Sequence, residues 1–109
     1  MMRMLGALLL MGGLATAEEG RPLSMETVDR VFEQHDRAIQ SCHKGGGKRG
    51  TLAVQLVIEI DASGNVILAE PADKPTAEAA CLARVARRLK FPSTGVNTRL
   101  AYPFMLLTR

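Results

Sequence analysis

The sequence predicts a small α+β domain in which two helices cover one face of a three-stranded antiparallel sheet. Three observations lead to this fold class. Apolar residues recur every three or four positions in two segments, which is the period of a helix. They alternate in residues 51–60 and 98–107, which is the period of a strand, and a further strand returns after the turn that follows the first of these. Along the chain these segments come in the order helix, strand, strand, helix, strand, and their total length suits one domain.

The composition excludes several classes of protein. The 109 residues are 47% hydrophobic and 23% charged, which is typical of a folded module and too apolar for a disordered chain. Aromatic residues make up only 4%, without tryptophan, so a stacking surface for nucleic acid is not expected. A formal net charge of +3 is too small to dictate an anionic partner.

The amino-terminal residues are typical of a secretory signal peptide. Arg3 precedes an apolar stretch over residues 4–14, and the small residues Ala15 and Ala17 stand where signal peptidase requires them. The stretch is shorter than the roughly 20 residues of a membrane-spanning helix, although an uncleaved anchor remains the alternative. We therefore expect a signal peptide over residues 1–17, a linker over 18–23 and the domain over 24–109. The mature protein would be periplasmic or secreted and would lack a transmembrane helix.

The first element is a helix predicted over residues 24–44. Ser24 can serve as its N-cap, and the glycines at 45–47 end it. Its apolar stripe consists of Val28, Val31, Phe32, His35, Ile39 and Cys42.

A β-hairpin follows the first helix. Residues 51–60 alternate as a strand, and residues 65–70 return as a second strand. Between them, the turn over residues 61–64 ends in Gly64, which can take the positive φ of a bulged hairpin. The apolar face of the first strand consists of Leu52, Val54, Leu56, Ile58 and Ile60.

The last two elements are a helix from Thr76, its N-cap, to about Lys90 and a third strand over residues 98–107. Pro103 lacks an amide hydrogen, so its strand belongs at a sheet edge with the nitrogen turned outward, or at a bulge. If the second helix crosses over the sheet, the strand order is 2-1-3, with the most apolar strand in the centre. The apolar face of the third strand consists of Leu100, Tyr102, Phe104 and Leu106.

The cysteines Cys42 and Cys81 allow one pairing, and an oxidising compartment favours a disulfide between them. Closing this loop stabilises a domain by about 4 kcal/mol in the chain-entropy model. A zinc site made with His35 and His43 is the alternative, but the adjacent positions 42 and 43 point in different directions on a helix. On its apolar stripe, His35 is expected to be packed with a backbone partner. No nucleophile lies at a recognisable spacing from it, so we expect no catalytic residue, cofactor or metal.

A basic flank is predicted on the second helix. It could meet an anionic lipid, an anionic polymer or an acidic protein. The alternative is a solvated face that favours the carboxyl end of the helix. The flank consists of Arg84, Arg87, Arg88 and Lys90.

An ordered set of residues over nearly all of the mature chain carries a family resemblance. The set comprises residues 28–31, His35, Ile39, Cys42, Gly50, residues 61–64, Val66, Cys81, Val85, Phe91-Pro92 and Tyr102-Pro103-Phe104. It resembles the TonB-like carboxy-terminal domain of the AgmX/PglI type, which is common in myxobacterial gliding-motility and related envelope proteins. The family's Cys-Tyr pair stands here as Cys42-His43. TonB proper also has a membrane anchor and a long Pro-rich arm, so another protein would have to supply the anchor here.

The resemblance implies a periplasmic, non-catalytic interaction module with paired cysteines. TonB grips a segment of an outer-membrane receptor by adding a strand at its sheet edge, where unpaired backbone groups are available. We therefore expect a periplasmic or outer-membrane protein as the partner, and the resemblance implies a role as an accessory part of an envelope energy-transduction or gliding-motility machine. The chain could also form a homodimer. The alternative function is that of a small exported enzyme-inhibitor or scaffold domain. The expected partner-binding edge consists of Thr98, Arg99, Leu100, Ala101, Tyr102, Pro103, Phe104 and Met105.

Overall fold

The computed structural model describes residues 19–43 and 50–108, and these form an α+β fold. The predicted signal peptide lies outside the described residues. No helix within the described part of the chain has the length and apolar character of a membrane span. The elements are α1 (Met25–Gln34), α2 (Asp36–Gln40), β1 (Gly50–Ile60), β2 (Val66–Pro71), α3 (Ala77–Arg87) and β3 (Thr98–Thr108).

The predicted first helix is divided into α1 and α2 at His35. Ser24 caps α1, since its Oγ accepts a hydrogen bond from the Thr27 N–H at 3.2 Å. At His35 the backbone leaves the helical conformation, and its N–H donates to the Phe32 carbonyl. The ring Nδ1 lies 2.9 Å from the Val31 carbonyl oxygen, the acceptor that a continuous helix would use for the His35 N–H. The prediction that His35 has a backbone partner is thus confirmed. The prediction that its ring packs in the core is wrong, because the side chain is exposed.

The sheet has the predicted strand order, β2-β1-β3, and all its pairs are antiparallel. β1 pairs with β3 over its full length, whereas β2 pairs only with residues 56–60 of β1. The hairpin turn requires Gly64, whose φ is +95°, because a Cβ there would lie 2.0 Å from the Phe91 carbonyl oxygen.

The core lies between the helices and one face of the sheet, as the alternating pattern predicts. Leu56 and Ile58 of β1 are at most 1% exposed. From α1, the Phe32 ring contacts the rings of Tyr102 and Phe104, with centroids 4.5 and 4.9 Å away. No helix formed by residues 19–43 or 50–108 covers the opposite face of the sheet.

A disulfide joins Cys42, after α2, to Cys81 of α3, which confirms the predicted pairing. The Sγ atoms are 2.05 Å apart and the Cα atoms 5.5 Å apart. Cys42 is 1% exposed and Cys81 is partly buried against the core, so the bond joins α3 to the core at its margin. The alternative zinc site is wrong, since both thiolates that it needed are used in the disulfide.

Candidate functional site

The strand register determines which backbone groups point to the open edges of the sheet. In a strand, the N–H and C=O of one residue point to the same side, and those of the next residue point to the other. The Ala72 N–H donates to the Gln55 carbonyl at 2.9 Å, so the backbone groups of Gln55 point away from β3. The backbone groups of Leu56 therefore point toward β3, where Leu56 pairs with Tyr102. It follows that even-numbered residues of β3 bond to β1 and odd-numbered residues point outward.

Four residues of β3 present an unpaired outer edge. The N–H and C=O of Arg99 and Ala101, the C=O of Pro103 and the N–H of Met105 have no hydrogen-bond partner within residues 19–43 and 50–108. The Pro103 nitrogen points outward, as its sequence position predicts. This edge offers donors and acceptors to an added strand.

The side-chain amide of Gln40 occupies the end of this edge. Its Nε2 donates to the Met105 carbonyl at 3.0 Å, and its Oε1 accepts from the Leu107 N–H at 2.8 Å. A residue of an added strand that lay opposite Leu106 would bond to these same two groups, the Met105 C=O and the Leu107 N–H. Sequence reasoning missed Gln40, because a polar residue on a helix carries no signal of a contact 65 residues away.

The predicted edge residues therefore divide into two sets. Arg99, Ala101, Pro103 and Met105 point their backbone groups outward, whereas Leu100 and Tyr102 bond to β1 and pack against the core. Phe104 is buried in the core. The buried Thr98 has a structural contact of its own, since its Oγ1 accepts from the Leu23 N–H at 2.8 Å.

The flanks of the β3 edge differ in character. At one end, Arg99 forms a salt bridge with Glu59, with Nη1 and Oε1 3.1 Å apart, on the uncovered face of the sheet. At the other end, the side chains of Met105 and Leu107 lie on the same face and are 52% and 49% exposed. The edge therefore runs from a charged end to an apolar end.

The outer edge of β2 is partly occupied by other groups. Arg87 of α3 donates through Nη2 to the Ala69 carbonyl at 2.8 Å, and Pro71 has no N–H to offer. The irregular register at the hairpin end interrupts the ladder. This edge is less suited to strand addition than that of β3.

The predicted basic flank is split between structural and exposed positions. Arg87 donates a hydrogen bond to the Ala69 carbonyl on the outer edge of β2, and the Lys90 Nζ donates to the Asn65 side chain at 2.7 Å. Arg84 and Arg88 are exposed. Two of the four cations therefore support the fold in addition to lying on its surface.

The described residues contain no group of three or more His, Cys, Asp or Glu side chains that could hold a metal ion.

The Tyr102 hydroxyl donates to Asp29 Oδ1 at 2.5 Å beneath the open edge. Burial is the largest cause, and this hydrogen bond the second largest, of a pKa of Tyr102 that lies well above its ordinary value. Tyr102 is therefore a neutral donor that links β3 to α1.

Comparisons with protein-family models, curated proteins and solved structures found no significant match for this chain. The fold and the site define an α+β domain with a disulfide and an open strand edge. The resemblance to TonB-like domains stays a prediction from the residues.

Proposed function

We propose that this protein is a non-catalytic, TonB-like interaction module that binds an extended segment of a partner protein by strand addition to the outer edge of β3. One observation carries the proposal: the outward backbone groups of Arg99, Ala101, Pro103 and Met105 lack partners among the described residues. Main-chain hydrogen bonds from such an edge supply affinity for any extended segment, and the flanking side chains supply selectivity.

The contacts of Gln40 support this proposal. Its amide already makes two ladder-type hydrogen bonds, to Met105 and Leu107. An amide supplied by a partner would meet the same geometry further along the edge. A segment paired with residues 99–105 would reach the position of Gln40 without displacing it.

The uncovered sheet face supports selection among segments. Alternate side chains of an added strand would lie beside Pro103 and Met105, which are exposed on that face. Burying the apolar surface of Met105 would add roughly 25 cal/mol per Å² to the binding free energy. We therefore expect the segment to carry an apolar side chain near its contact with Met105 and an acidic one near Arg99.

The proposed location is the periplasm or the outside of the cell. The disulfide is consistent with an oxidising compartment. A role as an accessory part of an envelope energy-transduction or gliding-motility machine rests on the resemblance alone. The partner would then be a periplasmic or outer-membrane protein.

Two proline variants test the β3 edge. Ala101→Pro removes an outward N–H from β3, and the matched control Ala53→Pro removes an outward N–H from β1. Neither N–H takes part in the β1–β3 ladder, so both variants should retain the far-UV circular dichroism of the wild type. We expect Ala101→Pro to lower the recovery from envelope extract of a partner that binds the β3 edge at least tenfold. Ala53→Pro, on the other edge of the β1–β3 pair, should leave the recovery of that same partner unchanged.

Two outcomes would contradict the proposal. Recovery of the same partner by Ala101→Pro at the wild-type level would mean that the β3 edge is not the binding site. Recovery of a protease that loses activity in the complex would favour the alternative of an exported inhibitor.

A further inference from the structure

A second strand edge is open on β1. Because β2 pairs only with residues 56–60, the first half of β1, residues 50–55, has a strand neighbour on its β3 side alone. The register directs the backbone groups of Thr51, Ala53 and Gln55 away from β3. Within the described residues, the N–H and C=O of Thr51 and Ala53 and the N–H of Gln55 have no hydrogen-bond partner.

A cleft of about 420 Å³ lies beside this edge. One wall is β1, including Leu52 and Val54, and the other is the chain around the start of α3, including Asp73 and Ala79. Its volume falls within the range of roughly 300 to 1,000 Å³ that is typical of binding sites. The cleft is therefore large enough to admit the side chains of a bound peptide.

We propose that this cleft binds an extended segment of a partner protein, which pairs with residues 51–55 of β1 as a fourth strand. The site lies on the opposite side of β1 from β3. Pro103 of β3 also lines the cleft, but the hydrogen-bonding groups of this site belong to β1, so the site is distinct from the edge assigned under the proposed function and does not depend on it.

The β1–β2 ladder continues directly into this edge. Ala72, the first residue after β2, donates its N–H to the Gln55 carbonyl at 2.9 Å, and the chain then turns away toward α3. The next groups along β1 are those of Ala53 and Thr51, which keep the same orientation. A segment in the cleft would take up the ladder where Ala72 leaves it.

The cleft also determines the chemistry of the segment. A side chain that faces the core would meet Leu52, Val54 and Ala79, so an apolar residue suits that position. The cleft is also lined by two carboxylates, Asp73 and Glu78, against the single ammonium of Lys74. We therefore expect the segment to alternate apolar and polar residues and to carry a lysine or arginine.

The test uses a displayed library of random twelve-residue peptides, selected on the disulfide-bonded protein. Selected peptides are synthesised, and their binding is mapped through the backbone amide resonances of isotope-labelled protein. We expect peptides with alternating apolar residues and a cation, which shift the amide resonances of Thr51, Ala53 and Gln55. Ala53→Pro should weaken their binding at least tenfold, whereas Ala101→Pro should leave it unchanged.

A second pair of variants keeps the test decisive if Ala53→Pro fails to fold. Asp73→Asn removes a carboxylate from the cleft, and the matched control Glu33→Gln removes one from an exposed position on α1. Asp73→Asn should weaken the cationic peptides several-fold, and Glu33→Gln should not. The inference is overturned if no peptide is selected or if neither Ala53→Pro nor Asp73→Asn weakens binding. It is also overturned if only Ala101→Pro does so, and that last result would support the β3 edge instead.

Discussion

Gln40→Ala tests whether a side chain closes one end of the β3 edge. The substitution removes the bonds from the Gln40 amide to the Met105 carbonyl and the Leu107 N–H. Each intramolecular hydrogen bond contributes about 0.5 to 1.5 kcal/mol net. Both bonds are exposed, and water can replace them, so the lower end applies and the loss of stability should be about 1 kcal/mol. Gln34→Ala, at the exposed end of α1, is the matched control.

Amide hydrogen exchange measures the loss of the Gln40 hydrogen bonds at single residues. In the wild type, the Leu107 N–H is held by Gln40 Oε1 at 2.8 Å, whereas the Met105 N–H points outward without a partner in the described chain. Gln40→Ala should therefore accelerate exchange at Leu107 several-fold and leave the already fast exchange at Met105 unchanged. Gln34→Ala should alter neither. Equal protection of Leu107 in both variants would refute the assignment of Gln40 as the group that closes this edge.

The same substitution bears on binding. A longer segment that pairs beyond Met105 competes with the Gln40 amide for the Leu107 N–H. Removing a competing contact of about 1 kcal/mol should tighten the binding of such a segment about fivefold. A segment that stops at residue 105 should be unaffected, so the length dependence of the effect distinguishes displacement of Gln40 from a general loosening of the edge.

Three further predictions concern stability. Replacing both Cys42 and Cys81 with alanine should lower the free energy of unfolding, measured by urea titration, by about 4 kcal/mol, because the unfolded chain regains the entropy that the closed loop had removed. Gly64→Ala should cost at least about 3 kcal/mol, since it adds a backbone clash to a positive φ, whereas Gly95→Ala, with φ +85° and open space, should cost about 1 kcal/mol. Tyr102 is the single tyrosine, so phenolate absorbance reports it alone, and it should not ionise in the folded protein near pH 10. Because its pKa is raised on folding, its contribution to stability is fully present below the ordinary pKa of about 10 and is lost as pH rises above it.

Each of these has a clear contradicting result. An unchanged urea midpoint after removal of both cysteines would exclude a stabilising disulfide. Equal losses in Gly64→Ala and Gly95→Ala would show that the close approach to Phe91 has no energetic consequence. Ionisation of Tyr102 at its ordinary pKa in the folded protein would contradict its burial against α1.

The sequence predicts the sheet well because two independent constraints agree. The alternation of residues 51–60 marks a central strand, and Pro103 requires an edge. The break at His35 could not be predicted in the same way, because the apolar period of three and four continues through it from Phe32 to Ile39. At the break the His35 Nδ1 lies 2.9 Å from the Val31 carbonyl oxygen in place of the backbone N–H, and periodicity carries no information about such a contact.

The candidate site is less visible in the sequence, since it is made of backbone. The third strand can be assigned to an edge, but which residues point outward depends on register, which is fixed only by a contact such as Ala72 to Gln55. The predicted lengths of the first two strands, residues 51–60 and 65–70, already imply that the first half of β1 extends beyond its hairpin partner. The cleft beside this half depends on where the chain runs after β2, and strand periodicity carries no information about that path.

The way in which each edge is closed bears on both proposals. Open strand edges promote unwanted association, and folded proteins usually cover, charge or interrupt them. Here Arg87 holds β2, Gln40 holds the end of β3, and Pro103 removes one donor from its middle. The outward backbone groups of Thr51 and Ala53, beside a cleft, and those of Arg99 and Ala101 lack a hydrogen-bond partner among the described residues. In each of these two stretches, successive outward residues present both their N–H and their C=O, so an added strand would gain several hydrogen bonds there.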